Sequence, residues 1–292
     1  MRLHDRSGIP YKSEKNISNS TVEKYELPRV KHIVAVASGK GGVGKSTVSV
    51  NLAAALAISG KQVGLLDADI YGPSQGALLG IPEGTRPEVN NELLEPVQAH
   101  GVKCMSMGFV TSERTPAIWR GPMASGALQQ LLTQTNWGEL DFLVVDMPPG
   151  TGDIQLTLAQ KVPLSGALIV TTPQDIALLD ARKGIEMFRK VAVPVIGIVE
   201  NMSMHICSNC GHEESIFGQG GGKAVASDYE TELLAELPLT LQVREQSDAG
   251  TPIIVADSDA ATSVTLRSIA TKVRVFVEKN VSKGPVINIL DK

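Results

Sequence analysis

Apolar positions along this chain gather into short, unbroken aliphatic runs, each ending in glycines or an acidic residue before a stretch with helical spacing begins. The first run is His32-Ile33-Val34-Ala35-Val36-Ala37. Beyond the glycines that close it, Val48, Leu52, Ala55 and Leu56 recur at helical intervals and predict a helix over 46–59. The alternation continues with Val63-Gly64-Leu65-Leu66 before Asp67, Phe142-Leu143-Val144-Val145 before Asp146, residues 166–170 before Thr171, and residues 195–199 before Glu200. Helices are predicted over 126–135, 177–191 and, closing the chain, 260–279, where Val264, Ile269, Val273 and Phe276 share a side. Strands apolar at every position are buried on both faces, and strands separated by helices need crossover connections. The expected fold is therefore α/β, with a doubly wound, mostly parallel sheet that offers ligands the carboxyl ends of its strands.

Residues 1–30 are polar and broken by Gly8, Pro10 and Pro28, so they are expected to form a flexible N-terminal arm. Residues 31–280 then make one domain with an insertion near 203–222, and 281–292 a tail. Hydrophobic residues are 42% of the chain but aromatic ones only 4%, which suits an aliphatic core between helices and sheet. The formal net charge of −4 gives no global positive field to draw the chain onto nucleic acid or anionic lipid. No run reaches the roughly 18 apolar residues of a membrane span, and the opening residues lack the apolar core of a secretory signal. A cytoplasmic protein with no nucleic-acid or membrane partner is expected.

Within this frame Gly39-Lys40-Gly41-Gly42-Val43-Gly44-Lys45-Ser46-Thr47 fits a phosphate loop, lying after an aliphatic strand and opening a helix. Its glycines let backbone N–H groups turn inward on phosphates, and the helix N-terminus adds partial positive charge. Lys45 is expected to bridge the β- and γ-phosphates of ATP, and the Ser46 hydroxyl to hold Mg²⁺. Asp146, after a buried strand and before Met147-Pro148-Pro149-Gly150-Thr151-Gly152-Asp153, has the arrangement that holds Mg²⁺ directly or through water. Asp67 and Asp69 are read as ending the second strand, with alternation pointing both the same way.

Lys40, a second lysine inside the loop, is not needed by an ordinary phosphate loop, and with it the chain resembles the deviant-Walker ATPases, the group of the nitrogenase iron protein and the septum-placing ATPases. That resemblance implies a homodimer in which Lys40 reaches the partner's nucleotide and neutralises charge developing on the transferred phosphoryl group. It further implies that Asp69 orients or deprotonates the attacking water, that Asp67 supports the Mg²⁺ shell, and that Asn201 and Pro238 receive the adenine ring.

Of the three cysteines, Cys207 and Cys210 form Cys-x-x-Cys, followed by Gly211-His212, while Cys104 reads as a small buried hydrophobe. Two thiolates are half of a tetrahedral site, completed either by His205 and His212 or by the same pair from a second chain. Zinc, an iron-sulfur cluster and a redox dithiol all remain open on residue types alone. The longer wording, namely the phosphate loop, residues 67–74, Trp119-Arg120-Gly121-Pro122-Met123, residues 146–160, Thr172-Pro173-Gln174-Asp175, and residues 200–222, resembles the Mrp/ApbC family of iron-sulfur cluster carrier ATPases over about residues 30–280. What the resemblance implies is a 4Fe-4S cluster bridged between two subunits by Cys207 and Cys210 and handed to apo-proteins, with Zn²⁺ there as the alternative. Many bacterial members carry a small domain ahead of the ATPase core where this chain has only residues 1–30; eukaryotic relatives share the shorter start, which makes the mitochondrial matrix the alternative location. A spatial-organisation switch is the competing class, and its marker, a basic C-terminal amphipathic tail or basic surface, is not evident.

Overall fold

A computed structural model describes residues 24–110 and 121–281. The chain enters at β1 (Val30–Ala37), passes the glycine loop into α1 (Lys45–Ile58), and returns through β2 (Val63–Asp67) to the short α2 (Gln75–Leu78). A small two-stranded sheet of β3 (Val89–Asn90) and β4 (Leu93–Leu94) precedes the hairpin β5 (Val97–Ala99) and β6 (Val102–Ser106) and the single turn α3 (Met107–Val110). After the undescribed stretch, which includes Trp119 and Arg120, come α4 (Gly121–Thr133), β7 (Leu140–Asp146), α5 (Asp153–Lys161), β8 (Gly166–Thr171) and α6 (Asp175–Lys190). The remainder is β9 (Val195–Ile206), β10 (Glu213–Glu214), α7 (Gly221–Asp228), β11 (Leu233–Leu239), α8 (Leu241–Asp248), α9 (Ile253–Ala256) and α10 (Ala261–Val281).

Among the described residues these strands form a nine-stranded sheet in the order β10-β9-β8-β1-β7-β2-β6-β5, with β11 also on β9. All pairings are parallel except β10 with β9 and β5 with β6. Every residue of β2 and β8 is buried, so helices cover both faces, as the unbroken aliphatic runs predict. α1 packs on α10 and α9, α6 on α7, and α4 on α5. The phosphate-loop strand β1 lies between β7 and β8, which puts the carboxyl ends of the three together.

The last residues before β1 are packed onto this domain: Tyr25 N–H donates to the Lys161 carbonyl (2.8 Å), and Leu27 lies against the core. Residues 1–23, the bulk of the expected arm, and the tail from 282 lie outside the described residues. Two strand ends differ from the sequence reading. β2 stops at Asp67, so Asp69 lies in the turn beyond it and the alternation that would align the two carboxylates no longer applies. β9 runs on to Ile206 rather than ending at 199, because β11 pairs with it from Ile198 to His205 and continues the ladder past Asn201. Residues 207–212 are therefore the turn of a β-hairpin, β10 pairing back onto His205 and Ile206.

Candidate functional site

Gly39 to Gly44 form the turn between β1 and α1, and two of its glycines are required for different reasons. Gly44 precedes the first helical residue at φ 83°, a left-handed conformation open to glycine and costly for residues with a Cβ. Gly39 instead makes a close approach: a Cβ there would lie 2.1 Å from the Asp180 backbone on α6. Gly39→Ala should lower stability by about 1–3 kcal/mol through this overlap. In thermal unfolding of both variants, Gly41→Ala, whose added Cβ meets nothing within 4 Å, should stay within about 0.5 kcal/mol of the parent.

At the base of the loop the β7 segment is tied on by Met147 N–H to the Val36 carbonyl (3.0 Å) and Gly150 N–H to the Ser38 carbonyl (2.9 Å). Asp146 is fully buried and receives three side-chain donors: Lys45 Nζ at 2.7 Å and Ser49 Oγ at 2.8 Å on Oδ1, and Gln75 Nε2 at 2.7 Å on Oδ2. The Lys45 ammonium also donates to Ser46 Oγ (3.3 Å). Lys45, Ser46 and Asp146 thus meet, with the lysine aimed at the carboxylate. Lys40 is half-buried, its carbonyl accepting from Ser38 Oγ (2.8 Å), and among the described residues no ion pair engages its ammonium.

Asp67 and Asp146 stand opposite one another in the β2–β7 register, yet their surroundings differ. Asp67 accepts N–H groups from Asp69 (3.2 Å), Ser74 (2.9 Å) and Gln75 (3.0 Å) and the Ser106 hydroxyl (3.0 Å). Burial, reinforced by the negative charge of Asp146, pushes its carboxyl up to about 7 against those donors. Asp69 is half-exposed and accepts Gly72 N–H (3.2 Å), so the acids separate into a buried brace for α2 and a solvent-facing group. Ser46 Oγ, the two buried carboxylates and the buried Gln75 Oε1, which has no hydrogen-bond donor, are all hard oxygens. That donor set fits Mg²⁺ held largely through water.

Asn201 and Pro238 come together at the other end of the loop. Asn201 Nδ2 donates to the Val43 carbonyl (2.9 Å), and Asn201 and Pro238 line a pocket with Thr47, Val243, Ile253 and Leu266, largely apolar apart from hydroxyls and the amides of Asn51 and Asn201. From Asn201 the strand continues through Met202, at a left-handed φ of 56°, to the hairpin turn. There the N–H groups of Cys210 and Asn209 are directed at the Cys207 sulfur and hold its thiol below the usual range. Cys207 N–H donates to the His212 carbonyl (3.0 Å), Gly211 N–H to the Cys207 carbonyl (2.8 Å), and Cys210 is exposed. Among the described residues no three His, Cys, Asp or Glu side chains gather to hold a metal ion, so the structure does not bring His205 and His212 together with the two cysteines. Cys104 is buried in β6, as its apolar neighbours imply. No described helix is long and apolar enough to cross a membrane.

Sequence reasoning did not single out Ser49, Gln75 or Ser106. Ser49 carried a weak signal, a polar residue one turn after Lys45 on a buried helix face. Gln75 and Ser106 carried none, because their reach to the carboxylates depends on how α2 and β6 pack.

A profile of the NUBPL iron-transfer P-loop NTPases, within the ParA group, matches residues 29–274. An iron-sulfur cluster carrier protein of Pseudomonas fragi is 63% identical over 84% of this chain and 85% of its own length. An iron-sulfur cluster transfer protein, NUBPL, of Mus musculus is 50% identical over 88% and 81%. Among solved structures, a nucleotide-binding protein of Archaeoglobus fulgidus in complex with ADP, with Co, superposes at TM-score 0.67 and 40% identity over 76% of this chain and 87% of that one. The cell division ATPase MinD of Pyrococcus furiosus, at TM-score 0.63 and 21% identity over 84% and 98%, shares the fold. With a family match over most of its length and a relative at 63% identity, the chain belongs to the NUBPL iron-transfer family of P-loop NTPases.

Proposed function

We propose that this chain is an ATP-binding and ATP-hydrolysing iron-sulfur cluster carrier, a cytoplasmic homodimer that holds a 4Fe-4S cluster between Cys207 and Cys210 of two subunits and passes it to apo-proteins. The names of its relatives support the cluster. One observation carries the reading: two accessible sulfurs end the same strand whose Asn201 touches the phosphate loop, and no third ligand of their own chain joins them among the described residues. A second copy of the pair supplies the other two thiolates of a cubane. Ile176 and Leu179 on α6, 60% and 51% exposed beside the Asp180 that Gly39 packs on, give that face apolar surface for a subunit contact.

At the nucleotide, Gly39 to Thr47 take the phosphates and Lys45 leaves Asp146 for the β- and γ-oxygens. Asn201 and Pro238 receive the base. Ser46, Asp146 and Asp67 hold Mg²⁺, which neutralises charge on the phosphates. Asp69 orients a water onto the γ-phosphorus and takes its proton as the bond to the bridging oxygen breaks, releasing ADP and phosphate. Lys40 reaches across the dimer to the second subunit's nucleotide.

Anaerobic reconstitution with iron and sulfide, followed by transfer to an apo-acceptor with and without MgATP, tests the whole reading. Zinc retained under those conditions in place of iron favours a structural metal, and MgATP binding with no cluster favours a switch ATPase of another output. Lys40→Ala should keep ATP affinity within a few-fold and slow hydrolysis by about 10³-fold or more. Asp69→Ala should be inactive alone. Mixed Lys40→Ala and Asp69→Ala subunits should regain hydrolysis, because one of the two sites then has both its own Asp69 and a lysine from across the dimer; no recovery would put Lys40 in its own site.

A further inference from the structure

Gln75 is fully buried, and its amide is only half used. Nε2 donates both to Asp146 Oδ2 (2.7 Å) and to the Ser46 carbonyl (3.1 Å), which fixes the orientation of the group, since both partners only accept. Oε1 is buried and receives no hydrogen bond. An amide oxygen left so costs about 1–3 kcal/mol, and an aliphatic side chain would fill the same space without that cost. The backbone has a separate task here, Gln75 N–H donating to Asp67 Oδ2 (3.0 Å). One residue therefore touches both buried carboxylates and the backbone of Ser46.

We propose that Gln75 is a positioning residue for the metal of the nucleotide site, its Oε1 accepting a hydrogen from a Mg²⁺-bound water while its Nε2 keeps Asp146 turned toward Ser46. The proposal rests on the reading of the glycine loop as a MgATP site and adds to it a group that neither the loop nor the acids supply. Outer groups of this kind typically contribute 10–100-fold to metal affinity.

Calorimetric titration of the full chain with ADP, in excess Mg²⁺ and in EDTA, measures the gain in affinity that the metal gives. In Gln75→Leu, which keeps the volume and removes both amide functions, that gain should fall about tenfold while metal-free ADP affinity stays within twofold. Gln75→Glu keeps an oxygen at the same reach and loses the amide donor, and should retain at least the parent gain. If Leu leaves the gain within twofold, or if Leu and Glu lose it alike, Gln75 only braces Asp146 and the proposal is overturned. A parent protein that binds no ADP in either condition overturns the nucleotide reading as well, a result distinct from both. Thermal unfolding of each variant confirms that the titrated protein is folded.

Discussion

Lys45→Ala should damage this protein in two measurable ways, lowering stability without nucleotide by about 3–5 kcal/mol and weakening MgATP binding by about 100-fold or more. The first effect follows from Asp146, fully buried, whose only ion-pair partner among the described residues is the Lys45 ammonium at 2.7 Å, itself 6% exposed. With the lysine gone, Ser49 and Gln75 still donate, but a buried negative charge has lost its counter-ion. The second effect arises because the same ammonium is the loop's positive charge for the β- and γ-phosphates. A double variant separates the two. Asp146→Asn added to Lys45→Ala removes the orphaned charge and should recover part of the stability, while binding stays weak because the lysine is still missing. Denaturant unfolding that leaves Lys45→Ala as stable as the parent would dismiss the ion pair, and unchanged MgATP affinity would dismiss the cradle.

The parallel sheet was legible because its central strands are apolar at every position, and a run such as Phe142 to Val145 has no other stable home than between two helical layers. Less regular elements were not. β11 reads Leu233-Leu234-Ala235-Glu236-Leu237-Pro238-Leu239, where Glu236 and Pro238 break the aliphatic run, and only its seat along β9 makes it a strand. That omission also shortened β9 in the sequence reading, since nothing local says that Asn201 to Ile206 have a partner.

The candidate site divides along the same line. Gly44 could be assigned from its place before a helix, whereas the need for Gly39 lies in α6, far away in sequence. Asp67 and Asp69 look equivalent by spacing and are separated by the end of β2, after which one is enclosed by N–H donors and the other faces solvent. The lysine's seat on Asp146, and the glutamine beneath it, appear only once β1, β7 and α2 are packed.

After anaerobic reconstitution, Cys207→Ala and Cys210→Ala should each lose the visible absorption of the cluster nearly completely, while the parent binds about four iron atoms per two chains. Removing either sulfur from a site built of two symmetric pairs removes two of four thiolates at once, so each single variant should behave like the double. Cys104→Ala supplies the control: that thiol is fully buried in β6, between β2 and β5, and its loss should leave the cluster intact. MgATP affinity should stay within about twofold in both hairpin variants, because six residues of strand carry Cys207 up to roughly 20 Å from Asn201. A cluster that survives Cys210→Ala, or that disappears in Cys104→Ala, would remove the hairpin from the site. The two thiols also differ in a testable way. The N–H groups of Cys210 and Asn209 directed at Cys207 lower its pKa, so without metal an alkylating probe near neutral pH should label Cys207 faster than it labels Cys104, whose thiol burial pushes well above the usual value. Bound iron should then protect Cys207 and Cys210 together, since both sulfurs leave solvent on the same event.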